Sequence, residues 1–483
     1  MHNPRVTVDY QTDSTRVTAE FCFGQDLKRL DFEIAGNSAA VFYVDGMSDG
    51  ARFENNIIKP LKQAQEFKQP FLDNLNKITY SSDKIDPFED FDEFTKKIAD
   101  GDIGLIIHGA DAFYVYSAKG YSVRGIQEPP VNSVLHGPRE GFNEDLKNNL
   151  TMIRRRLRTP KLVTENIKVG KYSQTGVALL HLNGVAEPKI VENIKSKLDE
   201  ISIDGIIDSS YIARFLEDRK HSIFRQVGIA EKPDVVAAKI LEGRVAIVCD
   251  GSPIVLTLPF LFIENYQAAE DYYVKNVRGT LTRGIRIASQ SAALLLPALY
   301  VAVQSFQYHI LPLRFLTVIM NNIYGLPFPP MLEMLLVLLF FEMLNEAGVK
   351  MPRHLVLSLS IVGALILGEA ATRAGLLSGI TVLVMAISTL GIYTAPDAAD
   401  AASILRLIFV IIAGVLGMLG IALAALATVA YMCSLKSAGV SMMSPFAPSL
   451  LSDMKDTFFK TDVTEASQRP MSIPSVNKKR LEK

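Results

Sequence analysis

Tryptophan is absent from this chain of 483 residues, and cysteine occurs three times. Without indole rings, anchoring at a membrane interface would rest on tyrosines such as Tyr300, Tyr308 and Tyr431. Cys22, Cys249 and Cys433 are far apart, so no cluster suggests a zinc site or a disulfide framework. Net charge is lacking too: 50 Lys and Arg against 51 Asp and Glu leave −1, which gives no reason to invoke nucleic acid. The start, MHNPRVTVDYQTDSTR, lacks a basic-then-apolar signal pattern, so the front half is expected not to be exported. HExxH, P-loop, GxSxG and dinucleotide patterns are missing, and His108, His136 and His181 fall near turns or strands. An enzyme is not expected, nor a cofactor or a metal.

Apolar residues are unevenly placed. Residues 1–286 are polar and mixed in pattern, 287–433 are mostly apolar, and the remainder is polar again. The expected fold class is an α/β soluble region of two related units followed by an α-helical multi-pass membrane domain. Two blocks carry the repeat. AAVFYVDGM and GVALLHLNGV each precede a helix-like stretch, and each is followed later by an apolar run, a glycine turn and a second apolar run. Gly101 and Gly109 are eight apart, as are Gly243 and Gly251. The expected divisions are a variable segment 1–29, unit 1 at 30–128, a linker 129–149, unit 2 at 150–262, a membrane-approach segment 263–286, a transmembrane domain 287–433 and a cytoplasmic tail 434–483.

NEDLKNNLTMIRRRLR reads as a helix with Leu146, Leu150, Ile153 and Leu157 on one face. It is dense in Arg154, Arg155, Arg156 and Arg158. This patch is either a solvated or inter-unit salt-bridge face, or a contact for lipid headgroups.

The apolar half begins with a run long enough to span, 287–311, preceded by Lys275, Arg278, Arg283 and Arg286. Those charges set its start in the cytoplasm. Lys350, Arg353 and His354 form a second basic loop, and Lys436, Lys455 and Lys460 follow the last run, Leu407 to Cys433. With the acidic DAADAAS outside, about four spans and two partial segments are expected; partial segments survive at that depth only inside protein or along water. Glu333 and Glu342 lie on opposite sides of their helix. SLSIVGALILGEAATRAGLLSG is rich in small residues and reads either as a close-packing helix or as a pore-facing one. In the pore-facing reading Ser358, Val362 and Glu369 face water; Glu369 also has Arg373 at i,i+4, a pair that would satisfy the acid locally.

GPREGFNEDLKNNLTMIRRRLRTPKL, DGIIDSSYIARFLED, KPDVVAAKILEGRVAIVCDGSPIVLTLP, GLPFPPMLEMLLVLLFFEMLNEAGVKMPR, IVGALILGEAATRAGLLS and CSLKSAGVSMMSPFAPSLLSDMKDTFFK together resemble the A subunit of the GerA family of spore germinant receptors. The resemblance runs in order over about Val134 to Lys460. It implies a multi-pass subunit of the endospore inner membrane, with both termini cytoplasmic. It also implies a transporter-like B subunit, a lipoprotein C subunit and a homo-oligomeric ring, a pentamer, that releases monovalent cations to start germination. The chain departs from the family pattern at HSIFRQ, at Glu369, where Gln is usual, and in TAPDAADAASILR. Two rivals stand beside the receptor reading: a sporulation-operon paralogue that conducts ions without sensing nutrient, and a secondary transporter.

Overall fold

The structure is a computed structural model that describes residues 8–64, 67, 71–78, 85–120, 137–350, 363, 366–462, 464 and 467–480. Its soluble half holds two five-stranded antiparallel sheets of identical strand order. The first, β1 (Leu27–Ile34), β2 (Asn37–Val44), β3 (Ile85–Phe88), β4 (Ile103–Ile107) and β5 (Phe113–Tyr116), is ordered β1-β2-β4-β5-β3. The second, β6 (Leu162–Val169), β7 (Thr175–Leu182), β8 (Gly228–Ala230), β9 (Val245–Cys249) and β10 (Val255–Leu258), is ordered β6-β7-β9-β10-β8.

The helices follow the same scheme. Unit 1 has α1 (Tyr10–Glu20), α2 (Gly50–Phe53), α3 (Lys59–Gln63), α4 (Phe71–Ile78) and α5 (Phe91–Ala99). After α6 (Leu146–Arg154), unit 2 has α7 (Pro188–Asp199), α8 (Ser209–Leu216) and α9 (Pro233–Leu241). The repeated glycines are repeated for a reason. Gly109 and Gly251 turn the β4–β5 and β9–β10 hairpins at φ +76° and +80°, where a side chain would be strained.

Central strands β4 and β9 are buried at every position. Both faces of the second sheet are covered, so its apolar residues run on rather than alternate. Val177, Leu179, Val245 and Ile247 pack with α7 and α8. The intervening Ala178, Leu180, Ala246 and Val248 pack with α6 and α9. The N-terminal segment belongs to unit 1, because Val8, Val17 and Phe21 lie in its core.

The helical half contains α10 (Asn276–Ser305), α11 (Leu313–Ile323), α12 (Pro330–Lys350), a short helical segment at 366–373, α13 (Gly379–Ile392) and α14 (Ala399–Ser434). Among the described residues two helical runs, Asn276–Ser305 and Pro396–Ser434, are long and apolar enough to cross a membrane. The second is not one rod. A straight helix of its length would part its ends by about 60 Å. Both ends instead meet unit 2: Asp397 Oδ1 is 3.6 Å from Arg225 Nη1, and the Tyr431 ring centroid is 6.2 Å from that of Phe224. The reversal is at Gly417, with φ 61° and ψ −146°. A Cβ on Gly420 would lie 3.0 Å from the Ile412 carbonyl oxygen, which requires the two arms to fold together.

This corrects the expectation of a single pass from Leu407 to Cys433 and of an outward-facing DAADAAS. Asp397 lies on the side of the soluble units, because the hairpin adds a reversal that apolar length alone does not reveal.

Contacts give the direction of the other helices. A Cβ on Gly414, high in the first arm of α14, would meet Met331, and Glu342 pairs with Arg406 lower down, so α12 descends toward the soluble units. α13 descends as well, from Ser378 beside Glu333 to Thr394 beside the Arg286 carbonyl. The tail after α14 returns to unit 2. Ser437 Oγ donates to the Gln226 carbonyl at 2.6 Å, and the Phe262 N–H donates to the Met442 carbonyl at 2.8 Å.

Candidate functional site

Ionisable groups inside an apolar bundle are costly and are kept for pairing or for function, so they define where to look. Arg406 on the first arm of α14 is fully buried. Its Nη2 pairs with Glu342 Oε1 at 2.8 Å, and its Nη1 donates to Ser388 Oγ at 3.1 Å. Ser388 Oγ donates onward to the Ala293 carbonyl at 2.6 Å. One guanidinium thus joins α10, α12, α13 and α14. Glu333, on the other side of α12, accepts the Ser378 N–H that opens α13. Glu346 pairs with Lys350 at the exposed end of α12, at 2.5 Å.

A second cluster forms a collar where α10 leaves the soluble half. Asp271 accepts from Arg286 at 3.0 Å and lies 3.5 Å from Arg283, which is fully buried. Arg283 Nη1 also donates to the Asp456 carbonyl at 2.6 Å, tying the tail to the base of α10. Lys460 Nζ donates to the Val274 carbonyl at 2.7 Å. Arg283, Arg286 and Lys460, which sequence reading took only as orientation signals, are therefore structural ties.

Beside the collar, Arg244 bonds Glu264 and the Pro259 carbonyl, and Lys239 reaches Glu264 at 2.8 Å. Burial pushes the Glu264 carboxyl up, but Arg244 and Lys239 outweigh it and hold it below its ordinary value. At Glu242 burial prevails and holds the carboxyl above its ordinary value, with Arg244 opposing. A carboxyl lowered in the folded state contributes stability that is full above its unfolded value, about 4.3, and is lost as pH falls through the folded value. Glu264→Gln is therefore expected to lower the unfolding midpoint of the full chain at pH 7 and to flatten its decline into acid. Parallel midpoint-against-pH curves for the two proteins would contradict this.

The arginine patch divides by environment. Arg154 is 2% exposed and pairs with Asp26 of unit 1 at 2.6 Å, while Nη1 and Nη2 donate to the Thr159 and Leu162 carbonyls. Arg158 reaches Asp100, also in unit 1, at 2.8 Å. Arg155 and Arg156 face Glu140 at 3.6 and 2.7 Å. Ser358 and Val362 lie outside the described residues. Glu369 and Arg373 pair at 2.5 Å with side chains 50% and 78% exposed. Sequence reading passed over Arg406; its signal was a lone cation early in the apolar run SILRLIFV. Asp26 carried no signal, since nothing local distinguishes it from other surface acids.

The family model described as Bacillus/Clostridium GerA spore germination protein matches residues 15–472. Spore germination protein KA of Bacillus subtilis (strain 168) is 34% identical over 444 residues, 91% of this chain and 82% of that protein. Spore germination protein GerLA of Bacillus cereus is 30% identical over 455 residues, 92% of each chain. The crystal structure of the N-terminal domain of the A subunit of the Bacillus megaterium spore germinant receptor GerK3 aligns with a TM-score of 0.43 and 26% identity, over 54% of this chain and 99% of that one. With the match running through both soluble units and the whole helical half, the chain belongs to the GerA family of spore germination A subunits.

Proposed function

We propose that the chain is the A subunit of a nutrient germinant receptor in the spore inner membrane, and that copies of it form a ring that releases monovalent cations. Its partners would be a transporter-like B subunit and a lipoprotein C subunit. In this reading α10 leaves the cytoplasmic side, α12 returns, the stretch between Lys350 and Ser378 crosses outward, α13 returns, and the two arms of α14 go out and back. Six crossings then leave the soluble units and the tail on one side, in the cytoplasm. The arms of α14 are each about 25 Å long, close to the hydrocarbon thickness.

The observation that carries the ion path is the exposed Glu369–Arg373 pair on a helical segment set in an apolar stretch of sequence. Two ionised side chains turned outward from the bundle are unfavourable against lipid and well placed against water enclosed by neighbouring copies. Ser358 and Val362, on the same stretch, complete the proposed lining. Arg154 and Arg158 are assigned to joining the two units, on the strength of Asp26 and Asp100 opposite them, and Arg155 and Arg156 to holding Glu140 of the linker, rather than to headgroups. Glu369→Gln and Val362→Ala spores are expected to release cations with altered kinetics on nutrient addition while holding wild-type amounts of the protein. Unchanged release in both would overturn the path.

A further inference from the structure

Chain ends are poorly ordered unless something ties them down. The end of this chain is tied to unit 2 at a place that has a counterpart in unit 1. In unit 1 the turn after β2 is met by the chain that continues from β5. Ser48 faces Lys119 in an antiparallel bridge, and the Gly120 N–H donates to the Met47 carbonyl at 3.1 Å. Met47 and Ser48 follow Gly46 as Val185 and Ala186 follow Gly184. Unit 2 does not repeat this contact with its own continuation. Lys119 lies three residues beyond β5, and the residue three beyond β10 is Leu261, which opens the helical turn Phe262–Tyr266 on the way to α10. Ser475, from the far end of the chain, fills the place instead. It faces Ala186 in an antiparallel bridge, and the Val476 N–H donates to the Val185 carbonyl at 2.9 Å.

Neighbouring residues fit the segment to its place. Gly243, just past α9, leaves room for it: a Cβ there would lie 3.0 Å from the Ser475 Cβ. Ile473 is fully buried against Leu261 and Ile263. Arg469 Nε donates to the Leu241 carbonyl at the end of α9, at 2.7 Å. The segment also holds its own shape, since Gln468 faces Lys479 in an antiparallel bridge and the Arg469 N–H donates to the Lys478 carbonyl at 2.8 Å. Ser472 gives both its N–H and its hydroxyl to Asp453 at 2.6 Å, three residues before the Asp456 that holds Arg283.

We propose that this face of unit 2 is a docking site for an extended peptide, that its occupant is the chain's own C-terminal segment, residues 467–480, and that the segment is a displaceable clamp between unit 2 and the base of α10. Main-chain pairing to a turn with one buried side-chain anchor is the pattern of peptide recognition by strand addition. The contacts are made at a chain end, so they can part without moving a strand of either five-stranded sheet. The tether keeps the segment at its site at an effective concentration on the order of millimolar. A weak site therefore suffices to hold it closed.

The test compares the purified full chain in detergent with a chain ending at Thr464, by the fluorescence anisotropy of a labelled peptide of residues 467–480. Saturable binding to the shortened chain is expected, at least about a hundredfold tighter than to the full chain, whose own tail competes with a tethered ligand's advantage. Val476→Pro in the peptide removes the N–H given to Val185 and is expected to weaken binding several-fold. Equal binding to both chains, or none to a shortened chain that unfolds cooperatively, would overturn the inference. A full-length Ala186→Cys, Ser475→Cys chain, with Cys22 and Cys433 replaced by Ser, covers the case in which the shortened one fails to fold. Residues opposed in an antiparallel bridge are within disulfide reach. The oxidised form is expected to resist trypsin at Lys478 and Lys479 several-fold longer than the reduced form. Equal cleavage of the two forms, or a disulfide that joins two copies instead of closing within one, would overturn the clamp.

Discussion

Glu342→Leu is expected to destabilise the helical half by about 3–5 kcal/mol, the range for removing one partner of a buried ion pair. The size follows from asymmetry. Arg406 is fully buried, whereas the Glu342 side chain is 37% exposed. Deleting the acid strands a guanidinium that cannot reach water and whose Nε already lacks a partner. Deleting the base through Arg406→Leu removes the fully buried charge and leaves only the partly exposed acid, so the loss is smaller. The double substitution is expected to recover much of the stability, because no uncompensated charge then remains. Unfolding midpoints of the purified full chain give the comparison. Equal midpoints for wild type and Glu342→Leu would mean that the pair does not hold α12 to α14.

Gly417→Val is expected to disrupt the α14 hairpin. At φ 61° and ψ −146° the backbone is in territory that side chains other than glycine's rarely enter, with strain of about 1–3 kcal/mol. A Cβ there would also lie 3.0 Å from the Gln307 side-chain amide and 3.1 Å from Phe306. Overpacking of this kind adds about 1–3 kcal/mol. The consequence reaches beyond the tip, since both arms end against unit 2. Without the reversal, Asp397 and Tyr431 cannot both meet the 224–225 segment. Loss of protein accumulation, or protease sensitivity in the tail after Ser434, is the expected outcome. Wild-type accumulation with an intact tail would contradict it.

The soluble half was legible because its signals are local. The glycines recur at fixed offsets since each occupies a left-handed turn that both units need, as at Gly109 and Gly251. Continuous apolar runs mark strands covered on both faces, as β9 is. The helical half hid its topology for the same reason that made it conspicuous. Between Leu407 and Cys433 the chain is apolar throughout, and Gly417 sits among Gly414 and Gly420 with nothing to mark it as the turning point. Counting crossings by charge then put Asp397 on the wrong side, since one hidden hairpin changes the parity. The arginine cluster was visible as a patch, but its division was not. Arg154 is buried by Asp26, a residue more than a hundred positions earlier, and only the fold brings the two together. Glu333 and Glu342 were correctly placed on different sides of α12 by helical geometry, while their partners on α13 and α14 depend on packing that sequence spacing does not encode.

The account depends on both ends of α14 lying on the cytoplasmic side with the soluble units. Cys433 is exposed at one end and supplies a native probe; Asp397→Cys places a second at the other. In sealed vesicles of known orientation, a membrane-impermeant maleimide is expected to label both positions from the side that also exposes the N-terminal units, and neither from the opposite side. Labelling of positions 397 and 433 from opposite faces would make α14 a single crossing and contradict the hairpin, the six-pass topology and the ion path built on them.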